Sequence, residues 1–283
     1  MAWMQVLMLL SFSLEIHGHR GARARYPENT LPAFNYALLN GADYVELDTH
    51  MTKDGYIVVN HDLSVNKKLC LTEAGETIRK SITILNTDLK DLQTYDCGSV
   101  RSRDFPNQLQ VPGTKIPSLA EVIVLFKSHL VVNPNLKLNI EIKYEDSPDY
   151  PDMSFYVGEI VNLVRGFEIE DNVIYQSFSK DVVSKVKEID PSSTVYFLFS
   201  SVFTNYEAVL KETNADGISA AYKTVNQKMV NKVRDLGKKI LSWTVNDKKQ
   251  WKKLIELGID GIITDDPEEL FKYRKEVSES HLF

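Results

Sequence analysis

The most informative part of the sequence lies within residues 17–62, which contain His17-Gly18-His19-Arg20-Gly21, Pro27-Glu28-Asn29-Thr30, Glu46-Leu47-Asp48 and Asn60-His61-Asp62. Short β-rich runs and one amphipathic helical run separate these polar groups. Several of the polar residues stand at the end of an apolar run or just past it. A rigid scaffold presents chemistry through polar residues at its strand ends, so this stretch predicts half of an active site.

The same alternation continues to the C-terminus in roughly eight β/α units, which predicts a TIM (β/α)8 barrel. A doubly wound open sheet is the alternative, but no Gly-x-Gly-x-x-Gly follows the first strand. Residues 63–116 break the rhythm, and we interpret them as an insertion after the second strand that lies over the barrel mouth. One barrel domain is therefore expected over residues 14–277.

The composition bounds the class of protein and its partners. The chain has 283 residues, 43% hydrophobic and 25% charged, which is typical of a globular protein with a large core. The formal net charge is −6, and no Lys/Arg block of nucleic-acid-binding length occurs. Nucleic acid is thus excluded as an expected partner. A small-molecule substrate is expected instead, and if it is anionic, local cations must attract it.

Residues 1–13 form a possible signal peptide. They are mostly apolar, and Ser11 and Ser13 place small residues at the spacing that a signal peptidase requires. The run is too short to span a bilayer, so no stable membrane insertion is expected. It also lacks a basic residue before the apolar part, and the alternative is a buried first strand. We expect a periplasmic or secreted protein, with a cytoplasmic one as the alternative.

The two cysteines, Cys70 and Cys97, both fall within the insertion. In an exported protein they could form a disulfide that contributes roughly 3 kcal/mol by the chain-entropy model. The alternative is a pair of partly buried thiols. A metal site is not expected there, because no further Cys or His lies between them or just after them.

Three carboxylates indicate a metal site. Glu46 and Asp48 are two apart on one strand and share a face, and Glu141 on the next strand can face the same way. Three inward carboxylates cannot all be ionised without a compensating cation, and an all-oxygen set suits Mg²⁺ or Ca²⁺. The alternative is a set of ion pairs with Arg20 and Lys143.

Two histidines at strand ends, His19 and His61, are the predicted proton-transfer pair, because the unperturbed pKa of histidine lies near neutrality. His17 is expected to lie deeper in the barrel and to pack there. His50 shares the face of Glu46 and Asp48, and it is either a supporting residue or a plain surface residue.

Arg20 and Lys143 are the predicted phosphate-binding cations, since a guanidinium forks onto two phosphate oxygens and an ammonium supplies a point charge. Glu28 and Asn29 are predicted supporting residues in the loop before a helix, and Glu28 could bond to Arg20. Trp243 either walls off the organic part of a substrate or packs in the core. A divalent cation, Arg, Lys and two His together describe a site for phosphate-ester cleavage.

These residues belong to an ordered series that resembles the glycerophosphodiester phosphodiesterase family. The series comprises Gly18-His19-Arg20-Gly21, residues 27–34, Glu46-Leu47-Asp48, residues 52–55, His61-Asp62, residues 140–143, 176–178 and 243–246, and residues 260–265. The resemblance implies a TIM barrel that hydrolyses glycerophosphodiesters to sn-glycerol 3-phosphate and an alcohol. It also implies Ca²⁺ or Mg²⁺ at the three carboxylates, acid/base roles for the two histidines and phosphate contacts for Arg20 and Lys143.

Residues 96–98 and 105–108 are similar to those of exported bacterial members, which favours export. The nearest rival function is a lysophospholipase D-like activity on lipids, which would need an apolar apron at the barrel mouth. The insertion is fairly polar, with charges such as Arg79 and Lys80, so a soluble substrate is preferred. A non-catalytic binding protein would have lost a metal ligand or a histidine. A barrel isomerase or aldolase fits the set of residues less well.

Overall fold

The computed structural model describes residues 14–148 and 150–280 of the chain. Eight parallel strands close into a barrel with helices between them, so the predicted TIM (β/α)8 fold is confirmed. The ring closes because the first strand pairs with both the second strand and the last one. The possible signal peptide at residues 1–13 lies outside the described residues.

The strands in the described part of the chain are, in order, β1 (Glu15–Gly18), β2 (Tyr44–Met51), β3 (Ile57–Val59), β4 (Lys137–Ile142), β5 (Val173–Ser177), β6 (Thr194–Phe199), β7 (Gly217–Ala221), β8 (Lys239–Trp243) and β9 (Gly261–Thr264). β3 stands outside the ring, because it pairs antiparallel with the end of β2. This hairpin extends β2 beyond the barrel mouth.

The helices in the described part are α1 (Leu31–Leu39), α2 (Leu89–Leu92), α3 (Leu119–Leu130), α4 (Met153–Gly166), α5 (Lys180–Ile189), α6 (Tyr206–Thr213), α7 (Gln227–Asp235), α8 (Lys248–Leu257) and α9 (Pro267–Ser280). Side-chain caps determine where several of them begin. Thr30 caps α1, and Ser118 forms a capping box with Glu121 at the start of α3. These caps fix the length of the loops that follow the strands, and in a barrel those loops build the active site.

The lower part of the barrel interior is filled by packing. One buried cluster there consists of Tyr44, Ile174, Tyr196 and Leu241. His17 is buried and stacks on Tyr44 with ring centroids 4.1 Å apart, and Asn139 Nδ2 lies 3.3 Å from His17 Nδ1. His17 therefore packs deep in the barrel, as the sequence predicts, and closes the site from below.

Residues between β3 and α3 build a small layer with its own core. Its buried members are Val65, Cys70, Ile78, Ile84, Leu92, Cys97 and Ile116, and Val58 of β3 packs with them. Cys70 and Cys97 form a disulfide, so the structure selects the first of the two alternatives for these cysteines. Leu109 N donates to Arg25 O at 2.7 Å, which joins this layer to the loop after β1.

Candidate active site

The three predicted metal ligands meet at the barrel mouth. Glu46 and Asp48 alternate along β2 and face inward, and Asp48 is paired in register with Glu141 on β4. All three are buried, and one carboxylate oxygen from each lies within 4.8 Å of the others. This arrangement of hard oxygen ligands is of the kind that Ca²⁺ and Mg²⁺ prefer.

The ion pairs that the sequence offered as an alternative are also present. Lys143 Nζ lies 3.0 Å from Asp48 Oδ1 and 2.7 Å from Glu141 Oε1. Arg20 Nε lies 3.4 Å from Asp48 Oδ2. A metal site and these ion pairs are therefore compatible, because the carboxylates can share a cation and still bind Arg20 and Lys143.

Ionising all three carboxylates of this cluster is costly without a further cation. Burial raises the pKa of Asp48, but Lys143 and Arg20 outweigh it and hold the pKa well below its usual range. Burial and the neighbouring carboxylates raise the pKa of Glu46 well above its usual range, and burial raises that of Glu141 to about 7. Two of three carboxylates thus resist ionisation, and a divalent cation would relieve that cost. The residues present fit such an ion.

Arg20 is held in an unusual backbone conformation by its neighbours. Its φ is 50°, in the left-handed region that disfavours residues other than glycine. Its N–H donates to Glu46 Oε2 at 2.8 Å, and its carbonyl accepts from Asn29 N at 3.0 Å. Its Nη1 lies 2.8 Å from Glu28 Oε1. Strain of this kind persists only where the surroundings over-determine it, as they do here.

The supporting residues act through these contacts. Glu28 bonds to Arg20, as predicted. Asn29 donates from Nδ2 to Asp48 Oδ2 at 2.8 Å, and its own φ of 55° suits asparagine better than most residues. Gln176, at the end of β5, donates to Glu46 Oε1 at 3.3 Å. Each carboxylate of β2 is therefore fixed in orientation before any ligand binds.

His19 is buried in a chain of hydrogen bonds. Its Nδ1 lies 2.6 Å from Asp265 Oδ1, whose other oxygen accepts from Asn246 Nδ2 at 2.6 Å. Burial lowers the pKa of His19, and Asp265 opposes that effect. With Nδ1–H donated to the carboxylate, Nε2 is the nitrogen left for a reacting group. Sequence reasoning gave Asp265 and Asn246 no role, although each follows a strand end as His19 does.

His61 is held more loosely, and His50 positions it. The ring of His61 is paired with Asp62 through Nδ1 and Oδ1 at 2.8 Å. His50 is buried, and its Nε2 donates to the carbonyl of His61 at 3.2 Å while its Nδ1 lies 3.4 Å from the Tyr150 hydroxyl. Burial lowers the pKa of His50 to about 4, so the ring is neutral at pH 7. His50 is thus a supporting residue rather than a plain surface residue.

One cavity of about 320 Å³ contains the predicted chemistry. All seven predicted catalytic, phosphate-binding and metal-binding residues line it: His19, Arg20, Glu46, Asp48, His61, Glu141 and Lys143. Glu28 and Asn29 lie behind them. Its other wall is apolar and includes Phe178, Leu198, Trp243 and Ile263. The cavity can therefore hold an anion on one side and hydrocarbon on the other.

Trp243 combines the two predicted alternatives. Its ring lines the cavity and meets Phe178 edge-on, with centroids 5.5 Å apart. Its Nε1 donates to Ser219 O at 3.0 Å, which ties the indole to the neighbouring strand β7. A wall residue anchored in this way keeps its position when a ligand enters.

Comparison with known proteins decides the family. The model of the glycerophosphoryl diester phosphodiesterase family matches residues 19–269. The chain belongs to this family. A glycerophosphodiester phosphodiesterase of Caldanaerobacter subterraneus subsp. tengcongensis is 31% identical over 252 residues, which cover 89% of this chain and 94% of that one. The chain is accordingly a phosphoric diester hydrolase rather than a non-catalytic barrel.

Solved structures of relatives share the fold. The crystal structure of a putative glycerophosphoryl diester phosphodiesterase from Silicibacter pomeroyi superposes with a TM-score of 0.87 at 23% identity. The match covers 94% of this chain and 95% of that one. A phosphodiesterase of Oleispira antarctica, solved in complex with the product sn-glycerol-3-phosphate, gives a TM-score of 0.77 at 22% identity, covering 94% and 98%. None of the helices in the described part of the chain combines the length and the hydrophobicity of a membrane-spanning segment.

Proposed function

We propose that the chain hydrolyses glycerophosphodiesters to sn-glycerol 3-phosphate and an alcohol, with His19 and His61 as the proton-transfer pair. A single observation carries the proposal. One cavity joins two histidines, the two predicted phosphate-binding cations Arg20 and Lys143, and a buried carboxylate triad, and these are the groups that phosphodiester cleavage needs. The product bound to the Oleispira antarctica relative is the one that this reaction would release.

Glu46, Asp48 and Glu141 would hold Ca²⁺ or Mg²⁺. The unequal pKa values of the triad support a bound cation, since two of the carboxylates are costly to ionise without one. When bound, the ion polarises phosphoryl oxygens and stabilises the negative charge that develops on them. Arg20 and Lys143 bind further phosphate oxygens, and Asn29 and Gln176 keep the carboxylates in place.

The surroundings of His19 favour it as the proton acceptor. The Nδ1–H bond to Asp265 leaves the lone pair of Nε2 free, and burial lowers the pKa, so the ring is neutral at pH 7. His19 would take a proton from the nucleophile, which is either water or a neighbouring glycerol hydroxyl. Attack by the hydroxyl releases the alcohol and gives a cyclic phosphate, which water must then open to give sn-glycerol 3-phosphate. His61 would protonate the leaving alcohol.

The test is product release from defined substrates. Purified protein is incubated with glycerophosphocholine or glycerophosphoethanolamine in Ca²⁺, Mg²⁺ or EDTA, and glycerol 3-phosphate is measured. We expect release that EDTA abolishes and that one of the two cations restores. His129→Ala should release glycerol 3-phosphate at the wild-type rate, because His129 bonds to Asn35 away from the cavity. It is therefore the control for substitutions of His19 and His61. No release under any condition would refute the proposal.

Metal binding has a readout independent of turnover. A cation that binds only the folded state raises the midpoint of thermal unfolding. We expect Ca²⁺ or Mg²⁺ to raise it in the wild type and to have a much smaller effect on Glu141→Gln, which keeps the side-chain shape and removes one ligand charge. An equal rise in both proteins would place the cation elsewhere.

A second candidate is a lysophospholipase D-like activity on lipid substrates. The polar insertion argues against it, but the loops after β5 and β6 carry exposed apolar side chains. Phe178 is 46% exposed, Val202 68% and Phe203 93%. These loops follow the carboxyl ends of barrel strands, so they stand at the cavity mouth, where an acyl chain would leave the site.

Hydrolysis of glycerophosphodiesters and hydrolysis of lysolipids should respond differently to changes in the loop after β6. If the lipid is the better substrate, Val202→Ser/Phe203→Ser should lower kcat/KM for lysophosphatidylcholine about 30-fold or more and leave that for glycerophosphocholine unchanged. The double variant removes two apolar contacts, each worth roughly 1 kcal/mol or more when buried. Parallel effects on both substrates, or no effect, would count against the lipid candidate.

We also propose that the protein is exported to the periplasm or secreted. The Cys70–Cys97 disulfide supports this, because disulfides persist mainly in oxidising compartments. N-terminal sequencing of the mature protein and fractionation of the cells test it. Recovery of the uncleaved chain from the cytoplasm would contradict export.

A further inference from the structure

Arg23 lines the catalytic cavity, but neither the sequence pattern nor the proposed reaction gives it a role. Its side chain is 19% exposed and its Nη2 lies 2.9 Å from Glu28 Oε2. The other oxygen of the same carboxylate lies 2.8 Å from Arg20 Nη1. Glu28 therefore bridges two arginines at one side of the cavity, of which only Arg20 is a predicted phosphate ligand.

The insertion holds Arg23 from behind. The ring centroid of Phe105 lies 4.9 Å from Arg23 Cζ, which is a cation–π distance. Gln108 is buried, and its Nε2 donates to the carbonyls of Arg23 at 2.7 Å and Tyr26 at 3.0 Å. Ser102 N donates to Gln108 Oε1 at 3.0 Å, which fixes the amide orientation. Both the backbone and the guanidinium of Arg23 are thus in place before a substrate binds.

Arg23 also has hydrogen-bonding capacity to spare. A guanidinium carries five N–H donors, and among the described residues the buried Nε of Arg23 has no hydrogen-bond partner. Asp265 Oδ1 lies 3.9 Å from this Nε, too far for a hydrogen bond. That oxygen is the one bonded to His19. Within the described part of the chain, Arg23 therefore has a free hydrogen-bond donor close to His19, the proposed proton acceptor.

We propose that Arg23 is a second phosphate-binding arginine, which contacts the phosphoryl group of the substrate and of the phosphomonoester product. The inference rests on the proposed function. Planar guanidinium donors match phosphate oxygens, and the cleaved phosphate carries more negative charge than the diester. Arg23 should therefore matter at least as much for product affinity as for substrate affinity. The insertion would contribute to phosphate binding by presenting this side chain.

Kinetics of Arg23→Gln test the proposal. We expect KM for glycerophosphocholine and the inhibition constant of glycerol 3-phosphate to rise about tenfold or more, with kcat within about threefold, because a hydrogen bond to a charged group is lost. Arg23→Lys should recover part of the loss. Arg25→Gln is the matched control, since Arg25 pairs with Asp266 and does not line the cavity. Unchanged constants in Arg23→Gln would overturn the proposal.

A purely structural role makes a different prediction. If Arg23 only neutralises Glu28, Arg23→Gln should have no further effect on KM in a Glu28→Gln background. If Arg23 contacts phosphate, the rise in KM should persist there. Circular dichroism and the midpoint of thermal unfolding check that all variants are folded. Absence of the additional rise would assign Arg23 to positioning Glu28 and overturn the proposal.

Binding of inorganic phosphate separates this inference from the proposed reaction. Calorimetry on the wild type and Arg23→Gln needs no turnover, and we expect the variant to bind phosphate about tenfold more weakly. If glycerophosphocholine is not cleaved but this difference is found, the proposed reaction fails and the phosphate site stands. Equal binding by both proteins, or none by the wild type, overturns the site.

Discussion

His19 and His61 line the same cavity, and each is paired with an aspartate, yet the two regions that hold them differ. The His19 side chain is 13% exposed and that of Asp265 is 6% exposed, whereas His61 and Asp62 are 35% and 54% exposed. Asp265 is fixed by Asn246, while Asp62 lies next to His61 in sequence. A buried, oriented carboxylate can fix a ring and favour its charged form, but an exposed one is screened by water.

The largest effects should come from removing the imidazole ring of His19 or His61. Substitution of His19 or His61 by Ala should lower the rate of glycerophosphocholine hydrolysis about 10²–10⁴-fold, because each removes a general acid or base. Steady-state assays check this with His129→Ala as the control. Near-normal turnover in either variant would remove that histidine from the mechanism and end the comparison.

Removal of the disulfide tests how much the insertion that follows His61 depends on this bond for its stability. The bond closes a loop with a sequence separation of 27 residues. Its replacement by Cys70→Ser/Cys97→Ser should lower the free energy of unfolding by about 3 kcal/mol, mainly because the unfolded chain gains freedom. Urea denaturation measures it, and reduction of the wild type should give a similar loss. An unchanged free energy would mean that packing alone stabilises the insertion.

Asp265→Asn should weaken catalysis by His19, the more tightly held of the two histidines. We expect kcat to fall about 10–10²-fold, since the ring loses a partner that orients it and stabilises its charged form. Asp265 raises the pKa of His19 against the effect of burial, so its neutralisation should lower that pKa further. A base must be deprotonated, and the acidic limb of the pH–rate profile should therefore move to lower pH. A limb that does not move would belong to another group.

Asp62→Asn should have the smallest effect. An exposed ion pair contributes little, so the expected loss in kcat is about two- to fivefold at most. The same assays as for Asp265→Asn provide the measurement. A loss as large as that of Asp265→Asn would show that the exposed pair closes around the substrate and becomes buried.

Much of the site could be predicted because its residues follow from local rules. Residues two apart on a strand share a face, which places Glu46 beside Asp48, and the next strand in the ring brings Glu141. The contact of Arg20 with Glu28 spans only eight residues. The helix starts at Thr30 and Ser118 follow from capping preferences.

The contacts that sequence reasoning missed depend on closure of the barrel or on the insertion. Asp265 and His19 are 246 residues apart, and they meet because β9 pairs with β1. Gln108 reaches the carbonyl of Arg23 across 85 residues. The exposure of Val202 and Phe203 after β6 also depends on the tertiary structure, because two apolar residues in a polar loop do not by themselves indicate an exposed surface.

The barrel, the inward carboxylates and the proposed proton-transfer pair follow from the sequence, because periodicity and strand-end position are properties of short segments. Only the folded structure shows that His19 is more buried than His61, that Cys70 and Cys97 are joined, and that Arg23 lies beside His19. Burial, electrostatic coupling and long-range hydrogen bonds depend on which distant segments meet. Their effect on pKa and orientation arises only once the ring has closed.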